Sequence, residues 1–312
     1  MGNVEPILHP LGHGITIIDL MELGVQGRTG CYVVNAEKIA IVETGSSYGA
    51  PHILSGLKRL GIRPEQVEYI IVTHIHLDHS GGVGYILPHF PNATVVVHPR
   101  GAKHLIDPSR LISGARAVYG DALEQAFGQI LPVPEDRVLI RDEGDTLDLG
   151  GGRILTFYDT PGHARHHFSI YDPVSEGIFT GDTVGIRYVK QFTGYDFEPI
   201  YPSTSPSEFD RAATFESLAK LETLNPKRIY HSHFGMTEPA SIAFKRTRET
   251  VAAIDDLARA NYVPGMEWTQ LAEILKDYIR EDIEKQGYRV DNFEGFALDL
   301  MLNSKGLLCV LE

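Results

Sequence analysis

The segment Thr73-His74-Ile75-His76-Leu77-Asp78-His79-Ser80-Gly81-Gly82 carries the strongest signal in this chain of 312 residues. It continues the run Glu68 to Thr73, whose β-branched and aromatic residues predict a buried strand. Because His74 and His76 alternate with Ile75, both imidazoles project to one side of extended backbone. Imidazole and carboxylate are the ligands of catalytic zinc, and four of them exceed the need of one metal with an open position. The segment therefore predicts a two-metal centre at a strand end.

Three later segments place further polar side chains directly after predicted strands. They are Thr160-Pro161-Gly162-His163 after the strand at 153–158, Thr180-Gly181-Asp182 after the strand at 177–180, and His231-Ser232-His233-Phe234-Gly235 after the strand at 228–230. Each offers a metal ligand at the end of a hydrophobic strand. We therefore expect the centre to be completed by residues far apart in the chain.

These pieces, THIHLDHSGG, TPGH, TGD and SHFG, together resemble the metallo-β-lactamase-fold hydrolase superfamily, in its branch of glyoxalase II and lactonases. The resemblance covers about residues 10–236. It implies an α+β fold, a four-layer αββα sandwich. A carboxy-terminal helical extension is expected after it, since strands give way to helical patterns near residue 236.

The resemblance also assigns the ligands by position. It implies that His74, His76 and His163 hold a first metal, that Asp78, His79 and His233 hold a second, and that Asp182 bridges them. The expected cofactors are two divalent ions, zinc in the first place and iron or manganese as alternatives. In such enzymes a hydroxide between the metals attacks a carbonyl or phosphoryl centre. Asp78 and Asp182 are the residues expected to act in catalysis.

The chain departs from the family pattern at several positions. His231 competes with His233 as the last ligand, and we favour His233 because it immediately precedes Phe234-Gly235. Glu43 stands where relatives often carry Asp, and we expect it to support the ligands. Acyl-homoserine lactonases often have Tyr soon after the bridging Asp, whereas this chain has Val184 and Gly185 there.

Composition limits the kinds of partner. The chain has 28 Lys and Arg against 41 Asp and Glu, a net charge of −13, so it is not expected to bind nucleic acid or an anionic membrane. Two cysteines without a CxxC pair indicate a reducing compartment. The segment Met1 to Pro6 lacks the features of a signal peptide, and no 18-residue apolar run predicts a membrane span. We therefore expect a cytoplasmic protein that acts on a small molecule.

The substrate pocket is assigned to the loop at 186–206. Its Tyr188, Phe192 and Tyr195 follow Asp182 and are expected either to line the pocket or to pack as a surface loop. We divide the chain into a hydrolase domain, residues 1–236, and a helical extension, residues 237–312, that caps the site, forms a homodimer face, or both. Ser207-Glu208-Phe209-Asp210 predicts a capping-box helix start.

The leading hypothesis is a dinuclear hydrolase of esters, lactones or thioesters, with phosphoesters also in range. Two alternatives stay open: a mononuclear iron dioxygenase of the same superfamily, and a ligand-binding or regulatory protein with little turnover. His76 disfavours the flavodiiron branch, which carries Glu at that position.

Overall fold

Alternating apolar residues build two sheets that pack face to face. The computed structural model describes residues 4–312, so residues 1–3 of the amino-terminal segment lie outside the described part. The strands are β1 (Leu8–Gly12), β2 (Ile15–Asp19), β3 (Gly30–Val34), β4 (Ile39–Val42), β5 (Val67–Ile71), β6 (Thr94–Val97), β7 (Val138–Ile140), β8 (Thr146–Asp148), β9 (Ile154–Asp159), β10 (Phe168–Asp172), β11 (Gly177–Phe179), β12 (Ile186–Arg187), β13 (Ile200–Tyr201), β14 (Arg228–Tyr230) and β15 (Met236–Thr237).

Helices cover the outer faces of both sheets and form the carboxy-terminal part. The α-helices are α1 (Ala50–Arg59), α2 (Leu77–Ser80), α3 (Val83–Ile86), α4 (Pro99–Ile106), α5 (Ser109–Tyr119), α6 (Leu123–Phe127), α7 (Lys190–Thr193), α8 (Arg211–Thr223), α9 (Ala240–Asn261), α10 (Trp268–Lys285) and α11 (Ala297–Leu311). Among residues 4–312, no helix is both long enough and apolar enough to cross a bilayer.

The first sheet has the order β1-β2-β3-β4-β5-β6-β7, and the second has the order β15-β14-β11-β10-β9-β8. In the first sheet β4, β5, β6 and β7 pair in parallel, and in the second β11 pairs in parallel with β14. Carboxyl ends of parallel strands meet at one edge of a sheet, which is where open α/β sheets hold their ligands. The topology thus gathers several strand ends at one place.

Strand β3 shows how the period of two creates separate layers. Tyr32 and Val34 face the second sheet, where they meet residues such as Phe157 and Phe168. Cys31 and Val33 face the opposite way, into a core formed with α1 and α3. A further core packs the second sheet on α8 and α9. The layers are helix, sheet, sheet and helix, so the predicted αββα sandwich with a helical carboxy-terminal region is confirmed.

Two local predictions differ from the structure. The helix after the 186–206 loop begins at Arg211 rather than at the Ser207 capping box, because the side chain of Asp210 accepts from the backbone N–H of Ala213 at 3.0 Å. Ser207 has a left-handed φ of 68°. The segment 186–206, predicted to be a loop, contains the short elements β12, α7 and β13.

Candidate metal centre

The ligands predicted from the sequence converge at the carboxyl edge of the two sheets. His74 and His76 lie between the end of β5 and α2, and Asp78 and His79 lie within α2. The other three are carried by turns after strands of the second sheet: His163 after β9, Asp182 after β11 and His233 after β14. Three overlapping groups result, within each of which the ligand atoms lie no more than 4.8 Å apart: His74, His76 and His163; His74, His79 and Asp182; Asp78, His79 and His233.

The first group brings imidazole nitrogens to hydrogen-bond distance. Nδ1 of His76 lies 3.0 Å from Nε2 of His74 and 2.9 Å from Nε2 of His163. The other nitrogen of His163 has a partner in the carbonyl oxygen of Ser203, at 2.8 Å. That contact fixes the ring and directs its Nε2 at the centre.

The second group surrounds the carboxylate of Asp182. Its Oδ1 lies 3.3 Å from Nε2 of His79 and 3.5 Å from Nε2 of His233, while its Oδ2 lies 3.5 Å from Nε2 of His163. Asp78 closes this side, with Oδ2 3.4 Å from Nε2 of His233. The two oxygens of Asp182 thus face the two groups, the arrangement expected of a bridging carboxylate.

The donor set fits divalent cations. Nε2 of His79 and Oδ1 of Asp182 are buried, yet neither has a hydrogen-bond partner among the described residues. Buried polar atoms are rarely left without a partner, and a bound cation would satisfy both of these. Five imidazoles and two carboxylates around one point are chemically suited to two ions of the zinc class.

The histidines in the two halves of the centre differ in the direction in which their pKa is shifted. Burial lowers the pKa of His74 and His76 well below its ordinary value, so both rings are neutral, as metal ligands must be. Burial also acts against protonation of His79, but the carboxylates of Asp182 and Asp78 outweigh it and raise the pKa of His79 to about 9. The carboxylate half therefore attracts positive charge that bound cations can provide.

Glu43 supports two of the ligand segments at once. Its Oε1 accepts hydrogen bonds from the hydroxyls of Thr73, at 2.5 Å, and Ser232, at 2.9 Å, and lies 3.4 Å from Nδ1 of His79. It is fully buried and has a left-handed φ of 70°. Such strain in a non-glycine residue persists only where the surroundings fix it. Its placement matches the supporting role expected from the sequence.

The two histidines of the His231-Ser232-His233 segment have different surroundings. Both ring nitrogens of His231 have partners within the fold, the carbonyl oxygen of Gly185 at 3.1 Å and the hydroxyl of Thr237 at 2.9 Å. In His233 only Nδ1 is engaged, by the carbonyl oxygen of Arg28 at 3.1 Å, and Nε2 faces the carboxylates. This geometry favours His233 as the ligand.

His166 and His167 lie behind the ligands. Nε2 of His167 accepts from the backbone N–H of Asp182 at 3.3 Å, and its Nδ1 lies 2.9 Å from the hydroxyl of Thr160. Nε2 of His166 lies 3.2 Å from a carboxylate oxygen of Glu208. His167 thus positions the turn that carries Asp182.

A cavity of about 860 Å³ opens over the metal ligands. Ligand side chains, among them His76, Asp78, Asp182 and His233, form part of its wall. Most of the remaining wall is apolar and comes from α5 and α11 and from the start of α10: Leu111, Ala115, Val118, Leu298, Leu302, Leu308, Met266 and Trp268. The volume is that of a small-molecule site.

The three aromatic residues assigned to the pocket lie behind this wall. Tyr188 is buried and donates a hydrogen bond to Asp299 at 2.9 Å. Phe192 packs under the guanidinium of Arg28, and the hydroxyl of Tyr195 donates to the carbonyl oxygen of Asn292. Of the loop at 186–206, the cavity wall instead includes Ile186 and residues 203–206.

Several polar residues of the cavity wall were not singled out from the sequence, among them Glu22, Arg28, Tyr119 and Asp299. None belongs to a motif, and each reaches the cavity only through tertiary packing. The left-handed backbone of Met21 and Leu23 beside Glu22, a feature that clusters at functional sites, is visible only in the structure.

The chain is similar to known proteins of one superfamily. A family model described as the metallo-beta-lactamase superfamily matches residues 25–233. The chain is 32% identical over 178 residues to a metallo-beta-lactamase fold-containing protein of Sulfurisphaera tokodaii, which covers 56% of this chain and 63% of that protein. The solved structure of the archaeal protein of that designation superposes with a TM-score of 0.68 at 23% identity, covering 95% of this chain and 98% of the other.

Two further relatives carry different functional names. An N-acyl homoserine lactonase of Azorhizobium caulinodans is 34% identical over 170 residues, 54% of this chain and 57% of that protein. A diflavin flavoprotein of Synechocystis sp. is 32% identical over 171 residues, 54% of this chain and 26% of that protein. The chain spans less than two thirds of the length of these curated relatives.

Proposed function

Since this chain belongs to the metallo-beta-lactamase superfamily, we propose that it is a dinuclear metal-dependent hydrolase of carboxylic esters, lactones or thioesters. The observation that carries the proposal is the convergence of seven His and Asp side chains at one place, five of which also line one mostly apolar cavity. The similarity to an N-acyl homoserine lactonase supports the choice of ester-type bonds. The proposed substrate is a small molecule, with phosphoesters as a further class to test.

Two sets of residues would each hold one metal ion. His74, His76 and His163 would hold one, Asp78, His79 and His233 the other, and Asp182 would join both. The chemistry that bound divalent cations supply is Lewis acidity toward a carbonyl oxygen and activation of water near neutral pH. Zinc is the proposed metal, with iron or manganese as alternatives.

The chain itself supplies orientation and an enclosed site. Backbone carbonyls of Ser203 and Arg28 hold the rings of His163 and His233 in fixed tautomers. The apolar wall contributed by α5 and α11 removes water from around a bound acyl group, which strengthens polar interactions near the reacting bond. Glu43 keeps His79 in place from behind.

A substrate panel on metal-quantified protein tests the proposal. Turnover of esters, lactones, thioesters and phosphodiesters would be measured for the wild type, His74→Ala and Asp182→Ala. We expect both variants to lose activity by more than roughly 100-fold, because changes behind metal ligands alone cost about 10–100-fold. His89→Ala, at an exposed histidine, is the matched control. Full activity in either ligand variant, or no turnover of any substrate, would refute the hydrolase.

Elemental analysis separates the hydrolase from the dioxygenase alternative. The three ligand groups are linked through the shared members His74 and His79, which supports two adjacent ions per chain. Two zinc or mixed ions would agree with the hydrolase. One iron per chain together with oxygen uptake would instead favour a mononuclear dioxygenase.

A further inference from the structure

Glu22 is a buried acid on the wall of the cavity that the metal chemistry does not use. It begins the short 3-10 turn Glu22–Gly24 between β2 and β3, and only 1% of its surface is exposed. The same cavity wall contains the ligands Asp78, Asp182 and His233. Glu22 therefore borders the space in which a substrate would lie.

One oxygen of Glu22 is engaged and the other is free. Oε2 accepts the backbone N–H of Ser46 at 3.1 Å. Oε1 is buried and has no hydrogen-bond partner within residues 4–312. Buried carboxyl oxygens without a partner are rare in native proteins. The hydroxyl of the neighbouring Ser46 also lacks a hydrogen-bond partner among the described residues, and Oε1 of Glu22 is available to a partner that comes from the cavity.

The backbone around Glu22 is held in an unfavourable conformation. Met21 and Leu23, on either side, both have left-handed backbone, with φ of 51° and 55°. Asp19 fixes the turn by accepting the backbone N–H of Met21 at 2.9 Å and that of Gly27 at 2.8 Å. Strain at bulky residues persists where the fold determines one placement, and it clusters at ligand sites. The turn thus keeps the Glu22 side chain in one position.

Burial favours the protonated form of Glu22 below about neutral pH. It raises the pKa of the Glu22 carboxyl to about 7, and the negative charge of Asp78 acts in the same direction. The side chain and the backbone N–H of Ser46 act against this rise, as does the guanidinium of Arg28, which is paired with Asp299 at 2.9 Å. The phenol of Tyr119 faces the same group of charges. A carboxylic acid, unlike a carboxylate, can donate a hydrogen bond.

Two other charged groups on the wall have partners within the fold. Asp299 accepts from Arg28 and from the hydroxyl of Tyr188. His166 pairs with Glu208. Glu22 differs from these two because one of its oxygens has no partner among the described residues although the residue is buried.

We propose that Glu22 is a substrate-contacting residue, whose carboxylic acid donates a hydrogen bond from Oε1 to an oxygen atom of a neutral ester, lactone or thioester in the cavity. This inference rests on the proposed hydrolase function and adds a specificity determinant to it. It favours substrates with an acceptor oxygen at this place, and at higher pH the charge of Glu22 would act against an anionic group there.

Two substitutions test the contact through the pH dependence of kcat/KM. Glu22→Gln keeps the shape, the acceptor for Ser46 and a donor in place of Oε1, so it mimics the acid at every pH. Wild-type kcat/KM is expected to fall as pH rises through about 7. Glu22→Gln should stay within roughly threefold of the wild type at about pH 6 and should lack that decline, whereas Glu22→Leu should lose on the order of tenfold, mainly in KM.

Control variants and a second measurement keep the outcomes separable. Glu65→Gln, at an exposed glutamate outside the cavity, should reproduce the wild-type profile. Metal content and melting temperature of each variant would show that the centre is intact. Unchanged profiles in both Glu22 variants, with metal bound, would overturn the proposal, because a merely structural Glu22 would not shape the pH dependence.

Infrared difference spectra test the hydrogen bond from Glu22 even if the protein hydrolyses none of the substrates. The wild type should show the C=O band of a protonated carboxyl that is absent in Glu22→Gln. That band should shift on addition of 2-heptylcyclopentanone, a non-hydrolysable analogue of an alkyl lactone. A shift without turnover of any ester would refute the hydrolase and retain the contact. No band, or a band that does not move, would refute the contact and leave the hydrolase standing.

Discussion

Oε1 of Glu43 lies 3.4 Å from Nδ1 of His79, and the same oxygen accepts the hydroxyl protons of Thr73 and Ser232. Thr73 precedes His74, and Ser232 precedes His233. A single carboxylate behind the centre therefore connects ligand segments from both sheets. Its role is to set the orientation of rings that would otherwise turn.

Glu43→Gln is expected to weaken metal binding by about 10–100-fold, because the amide removes the charge that faces Nδ1 of His79. Competition with a chromophoric chelator measures the change in affinity. Glu216→Gln, at an exposed glutamate on α8, provides the matched control. Wild-type metal affinity in Glu43→Gln would show that Glu43 only stabilises the fold.

The ion pair of Arg28 and Asp299 ties α11 to the site. Their side chains meet at 2.9 Å and are almost fully buried, and the backbone carbonyl of Arg28 accepts from His233. Asp299→Ala is expected to lower the free energy of unfolding by about 3–5 kcal/mol, because Arg28 is left as an uncompensated buried charge. Urea unfolding checks this value.

The control for Asp299→Ala is Asp291→Ala, whose pairing with Arg289 at 2.8 Å is exposed. An exposed ion pair contributes about 0–1 kcal/mol, so this variant should unfold close to the wild type. Equal losses in the two variants would contradict the structural importance of the Arg28–Asp299 pair.

The protonation of Glu22 makes stability depend on pH. Burial raises its pKa from the ordinary 4.5 to about 7 in the folded protein, so the folded state keeps a proton that the unfolded state has released. Stability from this group is therefore complete below about pH 4.5 and is lost as pH rises through about 7, by about 3 kcal/mol in total.

Glu22→Gln should lack this loss, so the variant should gain about 3 kcal/mol relative to the wild type between acidic and alkaline pH. Urea unfolding of both proteins across that range gives the difference, in which the pH dependence of the metal centre cancels. A constant difference between the two proteins would mean that Glu22 titrates normally in the folded state.

Removal of metal is expected to destabilise the protein. Ligand binding to the folded state alone adds about 2.7 kcal/mol per site when the free ligand is at 100 times its Kd. A chelator should therefore lower the melting temperature, and added zinc should restore it. His74→Ala should respond less than the wild type, since it has lost a ligand. Identical melting with and without chelator would argue against a resident metal.

The candidate metal centre could be predicted from local features of the sequence. The alternation of His74, Ile75 and His76 places two imidazoles on one side of the backbone regardless of the rest of the fold. The ligands at 163, 182 and 233 each follow a predicted strand, so the prediction that they meet rested on their common placement at strand ends. The αββα layers followed from the resemblance that these motifs carry.

The helix start at Arg211 shows where local patterns were insufficient. Ser207 and Asp210 are both good N-cap residues, and only the packing of the preceding loop selected Asp210. The 186–206 loop shows the same limit. Its aromatic residues suggest a pocket, yet the carboxy-terminal helices enclose Tyr188, and α5 and α11 form much of the wall in its place.

The sequence by itself determined the candidate metal ligands, because these depend on residue type and short-range alternation, and the resemblance that their motifs carry implied the class of fold. Only the tertiary structure decided which of His231 and His233 faces the carboxylates, which helices line the cavity, and that Glu22 has a free oxygen there. The physical reason is that burial, hydrogen-bond partners and pKa depend on groups brought from distant parts of the chain, such as Ser46 for Glu22 and Arg28 for His233.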